Sequence, residues 1–479
     1  MEKGFGGEKP HALVVPFPLQ GHINPMLYFA HKLVSHGFLV TFVHSEHNQS
    51  RINEAKEKMK LEDADKDNIR LVSVTDALAP EESRSDVPKL LDSLQDTLAS
   101  SLHKLIEDIN KTEAHGITCA VFDLSLYYVR HVAKNLDIPY VLFSTVSVAT
   151  CVVVQESSTL ISSGIVSPNG TATVDKMINV LPFMPPLRST KLVWMFGSED
   201  QIKINMEMTF EAANAIREEF VVFNSFYDLE APSINDYPGK DTKISTIGPL
   251  ISPGILEGDL GQGEFGRQGN LRAEAVECLA WLDKQPRQSV IYVSFGSLAI
   301  LNAKQFQELA AGLEATGRPF LWVVRSDLMD GTIGALPPGF AERVGDRGCL
   351  VSWAPQLSVL CHPSTVCFIT HCGWNSTMES VSTGVPMLCW PSSFEQFLNC
   401  TYIVNEWKIG LELIPNGDGL VEKGEILNAV EKLLVGEEGI DIKKRATFLK
   451  ERARESVKAG HSSLFNFNLV VETLRSKRI

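Results

Sequence analysis

The stretch from Trp353 to Gln396 constrains the fold of this 479-residue chain more than any other. An apolar, β-branched run over Val366–Thr370 predicts a buried strand. The letters HCGWNS follow it and predict a turn into a helix over Thr377–Ser382, with Asn375 and Ser376 as N-cap residues. A strand, a small-residue turn and a capped helix form the joint at which α/β sheets bind ligands. Free N–H groups in the first turn of such a helix favour a phosphate.

Strands and helices alternate along the rest of the chain. Apolar runs predict strands over His11–Pro16, Leu39–His44, Ile69–Val74, Ile117–Phe122, Tyr140–Phe143, Val221–Phe223, Val290–Ser294 and Phe320–Val324. Helical periodicity predicts helices over Pro88–Ile109, Ala273–Trp281, Ala303–Ala315, Glu422–Leu434, Ile440–Lys458 and Ser462–Arg475. This alternation predicts an α/β protein, and its two similar halves indicate two Rossmann-like, doubly wound domains that face a cleft.

The length of the chain is enough for two domains, each with its own core. Residues 251–272 begin with a stretch rich in glycine and acidic residues, which is typical of an interdomain linker. We therefore expect an N-terminal domain over residues 1–250 and a second domain over 273–458. Residues 459–479 are expected to contribute a final helix.

Composition excludes several classes of function. Lys and Arg number 44 against 58 Asp and Glu, a formal charge of −14, whereas nucleic-acid binding needs a basic surface. The longest apolar stretch, Tyr140–Val154, is broken by hydroxylated residues and is too short for a membrane span. The first residues lack the continuous apolar segment of a secretion signal. Nine scattered cysteines favour free thiols, so we expect a cytoplasmic protein, and we expect it to be a monomer.

Two residues of the first half carry groups suited to proton transfer. His22 and Asp123 each follow a predicted strand, so both side chains should reach the cleft. A neutral imidazole can take a proton from a hydroxyl near neutral pH, and a neighbouring carboxylate fixes its tautomer. A histidine in a turn is more often solvated, however, and an aspartate after a strand more often caps a helix. Spacing alone leaves the pairing open.

The segment from Trp353 to Gln396 closely resembles the signature box of the plant family 1 UDP-dependent glycosyltransferases. Trp353 opens it, the HCGWNS turn begins at His371, Glu379 follows, and Glu395 and Gln396 close it, which gives the family's length of 44 residues. The resemblance extends more loosely over nearly the whole chain. It implies the GT-B arrangement of two Rossmann-like domains, with the last helix packed back on the first domain.

The resemblance also implies roles for individual residues. His22 falls where the family keeps its general base, and Asp123 where it keeps the partner carboxylate. In the family, the diphosphate is contacted at positions matching Ser297, His371, Asn375 and Ser376. The uracil and ribose are held at positions matching Trp353, Ala354, Gln356 and Glu379. The sugar hydroxyls are held at positions matching Thr145, Trp374, Glu395 and Gln396. A final glutamine is the family's usual sign of UDP-glucose.

Acceptor-binding residues are predicted from their place in the chain alone. Residues 181–197 combine prolines with large apolar side chains, which is typical of a binding loop. The expected acceptor positions are Pro18, Leu19, Leu124, Val148, Trp194, Met195 and Phe394. Within the signature box, Ser392-Ser393-Phe394 departs from the family's more common aromatic residue followed by a small one.

The favoured function is inverting transfer of glucose from UDP-glucose to a hydroxyl of a small apolar acceptor, such as a phenolic, a flavonoid or a terpenoid. A non-catalytic nucleotide-sugar-binding protein is the alternative. A dinucleotide oxidoreductase is disfavoured because the G-x-G-x-x-G pattern at Gly261–Gly266 lies in the acidic linker with no strand before it. A serine hydrolase is disfavoured because the sequence has no G-x-S-x-G.

Two patterns superficially suggest a metal site. Residues 63–65 read D-A-D, but they lie in a charged run that favours a solvated face. The second pattern lacks the paired C-x-x-C spacing of a zinc site and consists of Cys361, His362, Cys367, His371 and Cys372. Neither a bound metal nor a cofactor is expected, and UDP-glucose would be a co-substrate.

Overall fold

The computed structural model describes residues 9–59, 68–79, 82–84, 86–217, 219–239, 242–256, 277–297, 301–325 and 336–476. The D-A-D pattern, the G-x-G-x-x-G pattern and residues 257–272 of the predicted linker lie outside these ranges. Two parallel sheets organise the described residues, each with helices on both faces.

The first sheet has the strand order β3-β2-β1-β4-β5-β8-β9 among the described residues, and every pairing in it is parallel. Strands β6 and β7 form a separate short antiparallel pair. The bounds are β1 His11–Val15, β2 Leu39–Ser45, β3 Ile69–Val74, β4 Cys119–Asp123, β5 Tyr140–Ser144, β6 Met177–Ile178, β7 Leu187–Arg188, β8 Phe220–Phe223 and β9 Lys243–Thr246.

The second sheet has the order β12-β11-β10-β13-β14-β15, again with parallel pairings throughout its described strands. The bounds are β10 Val290–Ser294, β11 Phe320–Val323, β12 Gly348–Val351, β13 Thr365–Thr370, β14 Met387–Cys389 and β15 Gly410–Glu412. Each sheet reverses its direction of winding at its centre, between β1 and β4 in the first and between β10 and β13 in the second. Such switch points are where open α/β sheets bind ligands.

The helices in the first half of the chain are Gln20–Ser35, Glu46–Met59, Val87–Thr112, Arg130–Asn135, Val148–Gln155, Ser157–Ser162, Glu199–Ile216, Tyr227–Asn235 and Pro253–Leu256. The helices that follow in the chain are Glu277–Leu282, Ala303–Ala315, Phe340–Val344, Gln356–Cys361, Trp374–Thr383, Gln396–Thr401, Lys423–Leu434, Glu437–Ser456 and Ser462–Arg475. Among the described residues, no helix has the length and apolar character needed to cross a membrane.

Helix Val87–Thr112 shows how sequence determines these elements. Its buried side chains recur at helical spacing and are Leu90, Leu91, Leu94, Leu98, Leu102, Ile106 and Ile109. The Asp86 carboxylate accepts a hydrogen bond from the N–H of Lys89 at 3.3 Å, and a proline stands in the first turn. The apolar stripe packs on one face of the first sheet.

One local prediction was wrong. Helix Trp374–Thr383 begins two residues before Ser376, with Gly373 as its N-cap, so Asn375 and Ser376 lie in its first turn rather than before it. Gly373 is extended at φ −61° and ψ 147° and leads the chain directly from the turn into the helix.

The last helix, Ser462–Arg475, packs against the first sheet although it follows the second in the chain. Phe467, Val470, Val471 and Leu474 belong to the same buried cluster as Phe29 and Phe38. The Phe467 ring lies edge-on to Phe29 at 5.8 Å between centroids, and the Lys32 ammonium lies 4.5 Å from the centre of that ring. We call the part of the protein built around the first sheet the first lobe, and the part built around the second sheet the second lobe. This helix therefore fixes the end of the chain to the first lobe.

Replacing Phe467 with alanine should lower the free energy of unfolding of the first lobe by about 3–5 kcal/mol, because it removes a fully buried ring and leaves a cavity. Chemical denaturation followed by circular dichroism measures the change. Phe465→Ala, on the same helix but 71% exposed, is the control and should change that energy by less than about 0.5 kcal/mol. Equal effects of the two substitutions would contradict the docking of this helix.

Candidate active site

A cavity of about 750 Å³ lies between the two lobes, and both switch points open into it. His22 and Thr145 line it from the first lobe, and Trp353 and His371 line it from the second. Because turns that follow parallel strands meet at one edge of a sheet, each lobe presents its polar turns to the other.

His22 and Asp123 form a hydrogen-bonded pair at the wall of this cavity. His22 lies in the first turn of helix Gln20–Ser35, and Asp123 ends β4. The Nδ1 atom of His22 lies 2.8 Å from Oδ2 of Asp123, whose side chain is fully buried. The N–H groups of Phe17 and Ser125 donate to the same carboxylate at 3.2 and 2.9 Å. These contacts hold the carboxylate in place, so Nε2 of His22 is the ring atom left for a ligand.

Electrostatics favour a basic imidazole at this position. Burial alone would lower the pKa of His22, but the charge and hydrogen bond of Asp123, with a smaller contribution from Glu395, raise that pKa above 6.5. The hydroxyl of Thr145 lies 3.0 Å from the same Nδ1 atom, which therefore has two hydrogen-bonding neighbours. Thr145, which is predicted to lie beside the donor sugar, is therefore also in direct contact with His22.

The second lobe offers an anion-binding turn. The Cys372–Gly373 backbone leads into helix Trp374–Thr383, whose first-turn N–H groups face the cavity at Asn375 and Ser376. The Asn375 side-chain amide donates to the carbonyl of Gly21 in the first lobe, so its backbone N–H is the group that it could offer to a phosphate.

His371 lies at the base of the same turn. Burial lowers its pKa to about 4, so the imidazole is neutral, and its Nδ1 atom is buried without a hydrogen-bond partner in the described structure. Gly296, at φ +70°, lies against this ring: a Cβ there would lie 2.7 Å from the His371 Cε1 atom. A neutral imidazole carries one N–H donor, which suits a hydrogen bond to a ligand oxygen, and His371 lines the cavity.

Gln356 and Glu379 form a polar group beside Trp353. The Gln356 amide donates to the Glu379 carboxylate at 2.7 Å and to the Ser376 hydroxyl at 2.9 Å. The Tyr292 hydroxyl donates to the Gln356 carbonyl at 3.2 Å. These side chains line the cavity, as do Ser297, Trp353 and Ala354, so the structure brings the predicted base, ribose and phosphate positions into one site.

The predicted sugar-holding residues differ in what they can offer. The Trp374 indole N–H donates to the carbonyl of Asn224 at 3.0 Å, so this N–H is used in a contact between the lobes. The backbone N–H of Trp374 donates to the Glu395 carboxylate at 3.3 Å. The Gln396 carbonyl accepts from the backbone N–H groups of Ser392 and Ser393 at 3.0 and 3.2 Å, which leaves its amide nitrogen for a ligand.

The predicted acceptor residues are only partly in the cavity. Leu19, Trp194 and Phe394 line it, whereas Met195 lines an adjoining groove of about 680 Å³. Three other predicted positions do not line the cavity: Pro18, Leu124 and Val148. Val148 is fully buried because the Glu230 carboxylate accepts its N–H at 3.2 Å and holds the start of its helix in the core. Leu124 packs against the same core, and Pro18 is buried.

Other cavity residues were not anticipated. Phe196 lies with its ring centroid 4.1 Å from that of Phe394, and the two rings separate the cavity from the adjoining groove. It directly follows the predicted Trp194 and Met195, so the apolar composition of that loop was the available signal. Asn224 and Tyr292 carried no sequence signal, because their contacts depend on how the lobes meet.

The structure does not gather the five residues of the zinc-like pattern. His362 contacts the exposed Asp283 at 3.2 Å, and Cys367 is buried within β13. Among the described residues, Cys372 instead lies with Cys389 and Cys400.

Comparisons with known proteins match this architecture. The family model described as UDP-glucoronosyl and UDP-glucosyl transferase matches residues 268–440, and the one described as Glycosyltransferase, N-terminal domain matches residues 10–163. UDP-glycosyltransferase 85A5 of Arabidopsis thaliana is 37% identical to this chain over 97% of both chains. The chain belongs to the plant family 1 UDP-dependent glycosyltransferases.

Further relatives agree with this membership. This glycosyltransferase is 34% identical to 7-deoxyloganetin glucosyltransferase of Gardenia jasminoides over 98% of both chains. The solved structure of Phytolacca americana UGT2, complexed with UDP-2-fluoro-glucose and pterostilbene, superposes with a TM-score of 0.80 at 28% identity and covers 98% of this chain and 100% of that one. The prediction of an enzyme of the hexosyltransferase class with a GT-B fold is confirmed.

Replacing Gly296 with alanine should displace the His371 ring and raise KM for UDP-glucose by roughly 10-fold or more, since small displacements of binding groups are costly. Steady-state kinetics of UDP release measures the change. Gly317→Ala is the matched control: it has φ +63° but no atom within 4 Å of the added Cβ, so it carries similar backbone strain away from the cavity. A normal KM in the Gly296 variant would remove His371 from donor binding.

Proposed function

We propose that this glycosyltransferase transfers glucose from UDP-glucose to a hydroxyl of a small apolar acceptor with inversion at the anomeric carbon. The observation that supports it most strongly is the 2.8 Å contact between His22 and Asp123 on one wall of a cavity whose other wall carries the signature box. A non-catalytic nucleotide-sugar-binding protein, the alternative, would not need this pair.

His22 acts as the general base. The Nδ1 hydrogen is donated to Asp123, so the Nε2 lone pair accepts the proton of the acceptor hydroxyl. The acceptor oxygen forms its bond to the anomeric carbon while the bond from that carbon to the diphosphate breaks. Attack opposite the leaving group inverts the configuration, and Asp123 stabilises the imidazolium that forms.

The departing diphosphate is stabilised by groups of the second lobe. Negative charge builds on it at the N-terminus of helix Trp374–Thr383, beside the N–H groups of Asn375 and Ser376. The neutral His371 ring supplies a further contact, and Ser297 lies in the opposite turn. These dipoles neutralise the leaving group, so the reaction is proposed to need neither a metal nor a cofactor.

Recognition of the donor follows from the remaining polar groups. Trp353 stacks on the uracil, Ala354 and Gln356 contact its edge or the ribose, and Glu379 accepts from the ribose hydroxyls. For Glu379 to do so, the ribose must replace the 2.7 Å contact with Gln356. Glu395 and the amide nitrogen of Gln396 hold the glucose hydroxyls, and Thr145 lies near the 6-hydroxyl.

The acceptor lies in the apolar part of the cavity, against side chains that include Phe17, Leu19, Leu91, Trp194, Phe196, Met208 and Phe394. Such a surface suits a phenolic, a flavonoid or a terpenoid alcohol. The relative named for 7-deoxyloganetin and the neighbour that holds pterostilbene support a small-molecule acceptor. Mass spectrometry of products from a mixed acceptor library with UDP-glucose would identify it.

The protein is proposed to act as a cytoplasmic monomer. Its nine cysteines are free thiols, as in a reducing compartment, and one chain supplies both walls of the cavity. Light scattering that gives a dimer mass would contradict the monomer, and a fluorescent fusion found outside the cytoplasm would contradict the location.

His22→Ala should lower kcat/KM about 100-fold or more, the usual contribution of a general base. The rate of UDP release with the identified acceptor measures it, and binding of UDP should stay within about 2-fold of the wild type. His103→Ala, a histidine on the surface of helix Val87–Thr112, is the control and should leave the rate unchanged. Near-normal turnover in the His22 variant would exclude the proposed base.

The pH profile tests the pairing separately. A general base must be neutral, so kcat/KM should fall as the pH drops through the pKa of His22, which Asp123 raises despite the opposing effect of burial. In Asp123→Asn the negative charge is gone, so this acid limb should move to lower pH and the plateau should fall by about 10-fold or more. An unchanged midpoint would show that Asp123 does not interact with the base.

A further inference from the structure

Three cysteines meet beneath the donor site, and the mechanism uses none of them. The Sγ atoms of Cys372, Cys389 and Cys400 all lie within 4.8 Å of one another. Their residues are 0%, 0% and 2% exposed. The other six cysteines join no comparable group in the described part of the chain.

Each of these cysteines lies on a different element of the second lobe, and two of those elements carry donor-site residues. Cys372 follows His371 in the turn after β13, at φ +66°. Cys389 ends β14, and Cys400 lies in helix Gln396–Thr401. The Asn399 amide donates to the Cys372 carbonyl at 2.9 Å, so the helix is already joined to the turn. The cluster therefore connects the turn at His371 with the helix that begins at Gln396, two parts of the donor site.

We propose that Cys372, Cys389 and Cys400 form a three-sulfur binding site for a soft monovalent cation of the Cu(I) class, and that its occupation inhibits sugar transfer. Thiolate sulfur is the ligand type that selects Cu(I). As each Cu–S bond forms, the thiol concerned releases its proton to solvent, and no electron is transferred.

The ligand set favours Cu(I) over zinc. Structural zinc takes four ligands in a tetrahedron, whereas no histidine nitrogen or carboxylate oxygen of the described residues joins these three sulfurs. The surroundings are apolar and include Met378, Ile403 and Leu449.

Binding would change the donor site by moving the turn. Three sulfurs bound to one cation at about 2.3 Å would be held about 4 Å apart, which fits within the 4.8 Å that separates them at most in the metal-free protein. Cys372 is joined directly to His371 and Gly373, so a shift of its sulfur is transmitted to the anion-binding turn. Because small displacements of binding groups are costly, we expect a loss of activity of about 10-fold or more.

Anaerobic titration of the full-length enzyme with Cu(I), in competition with a colorimetric Cu(I) chelator, tests the site. One equivalent should bind to the wild type and slow UDP release about 10-fold. In Cys389→Ala and Cys400→Ala the affinity should fall about 10-fold or more, and each variant is checked for folding by circular dichroism. Cys367→Ala removes a buried thiol outside the cluster and should bind like the wild type.

The metal-binding readout is independent of the proposed base, so it can fail while the His22 variant behaves as expected. Failure to bind Cu(I), or equal affinities in all four proteins, would overturn the site. Binding of one equivalent with no loss of activity would overturn the inhibitory role. If one cluster variant does not fold, the other decides between these outcomes.

Discussion

The positioning of the two switch points against each other is the constraint on which the site depends. Each sheet brings its polar turns to one edge, but neither edge alone provides both a base and a phosphate site. The Asn375 amide reaches the carbonyl of Gly21, one residue before the base, and the Trp374 indole reaches the carbonyl of Asn224. Asn375, one of the residues proposed to bind the diphosphate, thus also joins the lobes next to His22, so we expect donor binding and the position of His22 to be linked.

Within this frame, two histidines of one cavity receive opposite environments. Asp123 and Glu395 outweigh burial at His22 and raise its pKa, whereas burial at His371 has only a backbone contact to oppose it and lowers that pKa to about 4. In the proposed mechanism, the His22 ring can therefore accept the proton of the acceptor hydroxyl, and the His371 ring stays neutral beside the leaving group. Environments that separate the pKa values of like groups in this way assign different tasks to them.

Much of the fold and of the candidate site could be predicted from the sequence. Strands β3 and β10 and helices Ala303–Ala315 and Ser462–Arg475 fall at the predicted residues, because their apolar periodicity is a local property. The residues of the signature box likewise line the cavity.

Contacts set by tertiary packing could not be predicted. The N–H of Val148 donates to Glu230, 82 residues later, and the Trp374 indole N–H donates to Asn224, 150 residues earlier. The cysteine cluster was hidden for the same reason, since the parallel pairing of β13 with β14 brings together residues whose spacing resembles no metal motif.

The one departure from the family's common box pattern lies where the donor and acceptor parts of the cavity meet. Ser392 donates to the Gln396 carbonyl both from its N–H and from its hydroxyl, at 3.0 and 3.1 Å, and Ser393 adds a third contact. Phe394, at φ +54°, turns its ring onto Phe196 on the acceptor side. The same three residues therefore orient the amide that faces the sugar and form part of the wall that faces the acceptor. If the proposed donor and acceptor positions are right, a change in this loop is expected to alter both specificities together rather than either alone.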